Sequence, residues 1–191
     1  HYRGRGEDHH ARILIDLEDA FTGATRELVL RVPEVGTTGH VQTRERKLTV
    51  KIPKGIRPGQ RIRLAGQGAV SFGEGPPGDL YLEVLFRDHP RYTADDSDLY
   101  LSLPVSPWEA ALGATIKTPT PAGTVDLKIP AGSAAGRKLR LWGRGLPGDP
   151  PGDLYAVLQI VVPPADNDEI KALYKEMSEK SSFDPRAALG V

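Results

Sequence analysis

The sequence contains no cysteine, and this absence removes several kinds of chemistry. Disulfide bonds, thiolate zinc sites and cysteine nucleophiles are excluded, and the lack of cysteine is typical of a cytoplasmic protein. No apolar run approaches the roughly 18 residues of a membrane-spanning helix, and no signal-peptide pattern opens the chain. The first residue is histidine rather than methionine. We therefore expect a piece of a longer, cytoplasmic protein.

Catalytic and cofactor motifs are also missing. Residues 143–148 fit the glycine spacing of dinucleotide sites, but a proline-rich segment follows them instead of the helix that would hold a phosphate. The carboxylates of residues 95–98 lack the ligand spacing of a calcium loop. No nucleophile elbow occurs, and the five histidines lie in turns or near the termini. We predict a binding protein, not an enzyme, with no catalytic residue, no metal site and no cofactor.

One motif occurs twice and organises the chain. Residues 51–68 begin Lys-Ile-Pro and are repeated, with an offset of 77, in residues 128–145. Each copy leads into the string Pro-Pro-Gly-Asp-Leu-Tyr, at 76–81 and at 150–155. Two copies at so long a period indicate a duplicated domain, and the alternation of apolar with charged residues indicates half-buried strands. The sequence predicts a mainly β protein with two tandem, similar, small β-sandwich domains, each built on an antiparallel sheet.

Short helices and one insertion complete this prediction. Asp16 and Ser106 each precede a helical turn that ends at glycine, and Glu109 follows Ser106 at the spacing of a capping box. Residues 34–46 have no counterpart in the second copy. Because 13 residues are added between two predicted strands, we expect a protruding hairpin.

Domain limits follow from these patterns. We predict a flexible lead-in over residues 1–11, a first sandwich over 12–88, a second over 89–163, and a C-terminal helix and tail over 164–191. The helix carries an apolar stripe at i, i+3, i+4 and i+7, formed by Ile170, Leu173, Tyr174 and Met177. Such a stripe packs on the second domain or meets a copy of itself.

A strand of the first domain is a candidate for binding extended peptide. Leu28, Leu30 and Val32 alternate along it, and Pro33 follows, which is typical of a strand at a sheet edge. An edge beside apolar pockets accepts a peptide as an additional strand, since main-chain hydrogen bonds give affinity that is independent of sequence. The pattern favours capture of non-native polypeptide.

Charge is balanced overall but unevenly distributed. The sequence has 25 basic and 25 acidic residues, yet residues 44–63 contain eight bases and one acid. The eight bases are Arg44, Arg46, Lys47, Lys51, Lys54, Arg57, Arg61 and Arg63. They form a face for an anionic partner such as duplex DNA, or they occupy the solvent side of strands and discourage edge pairing.

The duplicated Lys-Ile-Pro-x-Gly motif, with Gly-Asp-Leu-Tyr behind each copy, resembles the C-terminal half of DnaJ-family co-chaperones. The segment Pro-Val-Ser-Pro-Trp-Glu-Ala-Ala-Leu-Gly-Ala at 104–114 also matches, and the likeness extends from about residue 12 to 186. It is closest to the zinc-free class B members of the curved-DNA-binding branch, which the end of the chain at 181–186 also resembles. The His-Pro-Asp loop of the J domain is missing, since the one His-Pro is followed by Arg91.

This resemblance implies a function and a site. Family members have two substrate-binding β-sandwich domains, dimerise through the C-terminal segment, and hand unfolded polypeptide to a DnaK-type ATPase. The resemblance places a substrate pocket in the first domain, with a wall formed by Ile13, Leu28, Leu30, Leu48 and Leu82. The alternative is that these residues are ordinary core. Dimerisation is expected at Ile170, Leu173, Tyr174, Met177 and Phe183. The curved-DNA-binding branch implies DNA binding and association with the nucleoid as the alternative function.

Overall fold

The computed structural model describes residues 4–35, 39–71 and 73–191. The strands are β1 His9–Ile15, β2 Ala24–Val35, β3 Val41–Ile52, β4 Arg61–Leu64, β5 Leu80–Phe86, β6 Tyr92–Asp95, β7 Asp98–Val105, β8 Ala114–Thr120, β9 Gly123–Ile129, β10 Lys138–Leu141 and β11 Leu154–Ile160. The α-helices are α1 Leu17–Thr22, α2 Pro107–Leu112 and α3 Asp168–Lys180, and a 3₁₀ turn covers Ala187–Leu189. We call β1 to β5 with α1 the first unit, and β6 to β11 with α2 the second unit.

Each unit pairs a larger sheet with a two-stranded hairpin, which confirms the prediction of two tandem, similar β-sandwiches. The larger sheet of the first unit has the order β1-β5-β4, and that of the second has the order β10-β11-β7-β6. The first hairpin is β2–β3 and the second hairpin is β8–β9. The prediction of purely antiparallel sheets is wrong, because β1 pairs with β5, and β7 with β11, in parallel. The helix and hairpin between these strands form the crossover that parallel pairing requires.

The hairpins differ in length as the sequence predicts. The first hairpin spans residues 24–52, or 29 residues, and the second spans 114–129, or 16 residues, a difference of 13. Most of residues 34–46 extend β2 and β3, whereas 36–38 lie outside the described residues. Strand β2 does not stop at Pro33, which lies opposite Thr43 in the ladder. Proline is accommodated there because β2 is an edge strand within the described residues, and edge strands tolerate proline.

The core lies between the two layers of each unit. Alternate side chains of β1, β3 and β5 point inward and are buried: Ile13, Ile15, Val50, Ile52, Leu80, Leu82 and Val84. In the second unit the same alternation buries Leu99, Leu101, Leu103, Val105, Ile129, Leu154, Ala156 and Leu158. Burial of a single leucine or isoleucine side chain contributes about 1.5–3 kcal/mol, so these apolar layers dominate the stability of each sandwich.

The repeated Gly-Asp-Leu-Tyr string has a structural role that explains its aspartate. The Asp79 carboxylate accepts hydrogen bonds from the Gly66 N–H at 2.9 Å and from Arg63 Nε at 2.8 Å, so it ties the turn after β4 to the start of β5. The hydrogen bond from the Gly66 N–H lowers the pKa of Asp79 below its ordinary value, and Arg63 lowers it further, because both favour the charged form of the carboxylate. The same contacts recur in the second unit at Asp153, Gly143 and Arg140.

The segment before β1 is held by the first unit. The Gly6 N–H donates to Pro76 O at 2.9 Å, and the Ala69 N–H donates to Glu7 O at 2.9 Å. Strand β1 begins at His9, three residues before the predicted start at Arg12. The extra residues become a strand because their backbone pairs with β5, which polar side chains do not reveal. The limits of the lead-in and of the domains stay predictions.

The helices follow their capping signals. In α2, Ser106 and Glu109 form the predicted capping box, with hydrogen bonds of 3.2 and 2.8 Å to each other's backbone N–H. Helix α3 begins at Asp168, because the Asn167 side chain accepts from the Ile170 N–H at 2.9 Å. No described helix has the length and apolar character needed to cross a membrane.

Candidate functional site

Three of the predicted pocket residues lie together on the first hairpin. Leu28 and Leu48 are direct cross-strand partners, and Leu30 is the next residue on the same face of β2. All three are half-buried and pack against the core. We call Leu28, Leu30 and Leu48 the leucine patch. The leucine patch is an apolar surface that solvent reaches, and it lies on the two longest strands of the described residues.

The other two predicted residues are part of the core. Ile13 on β1 is 4% exposed and Leu82 on β5 is fully buried. They belong to the apolar layer against which the leucine patch packs. Of the five predicted residues, Ile13 and Leu82 are therefore interior residues, as the alternative of ordinary core expects.

The second hairpin has a different surface at the corresponding positions. Thr118 and Thr120 stand where the first hairpin has Leu28 and Leu30, and both threonines are buried. Val125 stands where the first hairpin has Leu48 and is the cross-strand partner of Thr118. The Thr118 hydroxyl has no hydrogen-bond partner among the described residues. The half-buried leucines of β2 are thus replaced by buried threonines in the second hairpin, where Val125 remains half-buried.

The leucine patch adjoins an open sheet edge. Within the described residues β2 pairs only with β3, so its outer backbone groups face no other strand. Arg26 on β2 binds the buried carboxylate of Asp19 on α1 through two hydrogen bonds, which fix the start of the strand. An unpaired edge next to an apolar surface has the geometry that strand addition requires.

The basic run does not form one continuous stripe. Arg57 pairs with Asp96 at 3.1 Å, and Arg63 pairs with the buried Asp79 at 2.7 Å. Arg46 donates to the backbone and side chain of Gln67. The remaining members of the predicted set lie on β3, on β4 or in the turn between them and are exposed: Arg44, Lys47, Lys51, Lys54 and Arg61. The positive charge is divided between the first hairpin and the β1-β5-β4 sheet.

A cavity that the sequence did not predict lies where the two units meet. It has a volume of about 500 Å³ and is lined by Phe21, Lys54, Pro147 and Pro151, with neighbouring glycines. Close packing there explains one motif glycine, since a Cβ at Gly55 would lie 2.2 Å from Pro147 O. Nothing in the alternation of apolar residues marks this contact, because it joins turns of different units.

Comparison with known proteins identifies the family. The model of the DnaJ C terminal domain matches residues 9–163. A "Curved DNA-binding protein" of Coxiella burnetii (strain RSA 493 / Nine Mile phase I) is 50% identical over 189 residues, covering 98% of this chain and 60% of the relative. The protein of the same name from Escherichia coli (strain K12 / DH10B) is 42% identical over 189 residues, covering 97% of this chain and 62% of the relative.

The match to both relatives is nearly complete for this chain, which spans about three fifths of their length. The family match includes both sandwich units and the duplicated motif on which the sequence prediction depends. The chain belongs to the DnaJ C terminal domain family and is similar to curved DNA-binding proteins.

Proposed function

We propose that this chain binds non-native polypeptide at the leucine patch and at the outer edge of β2. As part of a longer co-chaperone, it delivers that polypeptide to a DnaK-type ATPase. One observation carries the proposal: three half-buried leucines lie beside the open outer edge of β2 in the first unit, whereas the second unit has buried threonines at two of these positions. Membership of the DnaJ family supports the co-chaperone role.

Binding of this kind needs no chemical step. The peptide backbone adds to β2 through main-chain hydrogen bonds, which every sequence supplies, while alternate peptide side chains rest on Leu28, Leu30 and Leu48. Each leucine is already half-buried, so covering its remaining surface contributes only part of the about 1.5–3 kcal/mol of full burial, and the patch favours apolar segments that a folded protein keeps inside. The leucine patch selects non-native chains because only these expose apolar side chains on an extended backbone.

Replacing Leu48 by serine tests this site. The substitution removes the centre of the leucine patch, and we expect apolar peptide to bind about 10-fold more weakly, in proportion to the lost apolar contact. Fluorescence anisotropy of a labelled apolar peptide measures the affinity, and light scattering of a denatured client measures suppression of aggregation. Both readouts should change together.

Val125→Ser is the matched control, because Val125 occupies the same position in the second hairpin and is also half-buried. It should leave peptide affinity within about 2-fold of the unsubstituted chain. Equal loss in both variants, or no loss in either, would contradict the assignment to the first hairpin.

We further propose that the chain forms a homodimer through α3 and the tail. Leu173 and Met177 are 57% and 65% exposed, Phe183 is exposed, and Ile170 and Tyr174 are half-buried. Tyr174 Oη donates to Pro163 O at 2.6 Å, which ties the middle of the helix to the segment that follows β11. An apolar stripe that stays this exposed has most of its surface left for a second copy.

Binding of duplex DNA is the second candidate function. The relatives are named curved DNA-binding proteins, and Lys47 and Lys51 are exposed on the outer face of β3. Such contacts go to phosphates and release counterions, so affinity falls steeply as salt rises. Association with the nucleoid would follow from this activity.

Lys51→Glu tests the duplex site, with Lys128→Glu as its counterpart in the second unit. We expect Lys51→Glu to weaken duplex binding about 10-fold at low salt and to reduce the salt slope by about one, whereas Lys128→Glu changes little. Electrophoretic mobility shift at several salt concentrations measures both quantities. Equal effects of the two substitutions would place duplex binding elsewhere.

A further inference from the structure

The outer face of the β10-β11-β7-β6 sheet carries an unusual group of aromatic and cationic side chains. Trp142 is 72% exposed although the guanidinium carbon of Arg140 lies 3.4 Å from its ring centroid. The rings of Tyr155 and Tyr100 stack with centroids 5.3 Å apart and planes 19° apart. Lys138 Nζ lies 5.5 Å from the Tyr100 ring centroid. We call these five residues the aromatic row.

The aromatic row is held in place by the sheet beneath it. Arg140 lies opposite Tyr155, and Tyr155 lies opposite Tyr100, on three neighbouring strands. The buried Asp153 binds Arg140 at 2.6 Å and accepts the Gly143 N–H at 2.7 Å. Since the guanidinium is fixed from below, it orients the ring of Trp142, and one face of that ring stays free. The free face of the Trp142 ring is therefore held in a position where a planar group can stack on it.

The segment that carries Trp142 is basic, whereas Asp98 of β7 and its cross-strand partner Asp95 of β6 lie on the same face as Tyr100. Residues 130–148 contain four bases and no acid, and the bases are Arg137, Lys138, Arg140 and Arg144. Asp153 offsets only Arg140, because its carboxylate is buried and directed to that guanidinium and the backbone. The surface lies on the second unit, away from the leucine patch, so the proposed peptide site does not use it.

The first unit has the same pairing of an arginine with a tyrosine but no exposed tryptophan beside it. Arg63 lies opposite Tyr81, which stacks on His10 with centroids 5.3 Å apart. Ala65 stands at the position of Trp142, and Glu83 on the same face pairs with Arg12 at 3.4 Å. The matching segment of the first unit, residues 53–71, also has four bases and no acid, so the exposed tryptophan is what distinguishes the second unit.

We propose that the aromatic row binds single-stranded nucleic acid without reading its sequence. A base stacks on the free face of Trp142, and the phosphates on either side contact Lys138, Arg137 and Arg144. Every base has a π face, so stacking tolerates any sequence, while the cations follow the backbone. A duplex keeps its base faces inside the stack, and an apolar peptide leaves the cations without partners. Neither contact involves the sugar, so DNA and RNA strands bind alike.

Trp142→Leu tests the proposal, with Trp108→Leu as the control because Trp108 is also exposed, at 58%, and lies on α2 away from the row. Anisotropy of labelled (dT)15 and (rU)15 measures affinity. Loss of one stacked base should weaken both by at least about 5-fold in Trp142→Leu and leave Trp108→Leu unchanged. In a Trp108→Phe background, the emission of Trp142 should be quenched by (dT)15. Thermal unfolding of each variant shows that the fold is retained.

Three outcomes would overturn the proposal. Equal weakening by Trp108→Leu would show that the row is not the site, and full competition by inorganic polyphosphate without quenching would show binding by charge alone. Weaker binding of apolar peptide by Trp142→Leu, with (dT)15 unaffected, would make the row a peptide surface. Failure of the Leu48→Ser prediction leaves the inference standing, because that substitution lies on the other unit.

Discussion

Replacing Gly152 by alanine is expected to disrupt the second unit. A Cβ at this position would lie 1.8 Å from Ser97 O and 2.4 Å from Ser97 C, both backbone atoms. Ser97 O cannot move aside freely, because it accepts the Leu146 N–H at 2.8 Å, and the Gly152 N–H in turn donates to Leu146 O at 2.9 Å. We expect a loss of about 3 kcal/mol or more in the free energy of unfolding. Thermal unfolding should show a decrease in Tm of roughly 6–12 °C.

Gly148→Ala is the control for this substitution. Gly148 lies in the same loop, and its added Cβ would be 3.1 Å from Pro150 O, a contact that a shift of a few tenths of an ångström relieves. We expect a decrease in Tm of at most about 3 °C, since a small local adjustment costs about 1 kcal/mol. Similar Tm values for the two variants would show that Ser97 and Gly152 are not packed as described.

Replacing Leu173 by aspartate is expected to convert the proposed homodimer to monomers. The substitution places a charge in the centre of the exposed stripe of α3, where dimerisation would bury it without a partner. Sedimentation velocity should show the dimer species lost at concentrations where the unsubstituted chain is dimeric. Truncation after Pro164 should have the same effect, because it removes the whole helix.

Ala172→Asp is the matched control, since it adds the same charge to the same helix about 100° away from Leu173 and outside the stripe. It should leave the dimer intact. A dimer that persists in the truncated chain, or one that Ala172→Asp also dissociates, would contradict the assignment of the interface to the stripe.

The duplicated framework could be predicted from the sequence because its signals are local. The alternation of Leu48, Val50 and Ile52 defines the inner face of β3, and the capping box of Ser106 and Glu109 defines the start of α2. The extra length of residues 34–46 follows from comparing the two copies. Each of these signals depends only on residues that lie close together in the sequence, so the local structure follows from them without knowledge of the fold.

Other features depend on contacts between distant segments and could not be predicted. Alternation does not indicate which strand is the neighbour, so the parallel pairing of β1 with β5 was missed. Leu82 and Leu48 have similar sequence surroundings, yet Leu82 is sealed and Leu48 is half-buried. Leu82 lies on the central strand of its sheet, whereas Leu48 lies farther out along the hairpin than the sealed Val50 and Ile52. Family resemblance therefore names five residues for the substrate site, and only the structure separates the three half-buried ones from the two buried ones.

The two hairpins differ in length, so the first hairpin offers a longer strand edge than the second. At about 3.4 Å per residue, the 12 residues of β2 measure roughly 40 Å, against roughly 24 Å for the seven residues of β8. Strand β2 is thus about 16 Å longer than β8. If the proposed function holds, a bound peptide would lie along the longer hairpin, and the length of the bound segment would be set by the hairpin and not by the size of the sandwich.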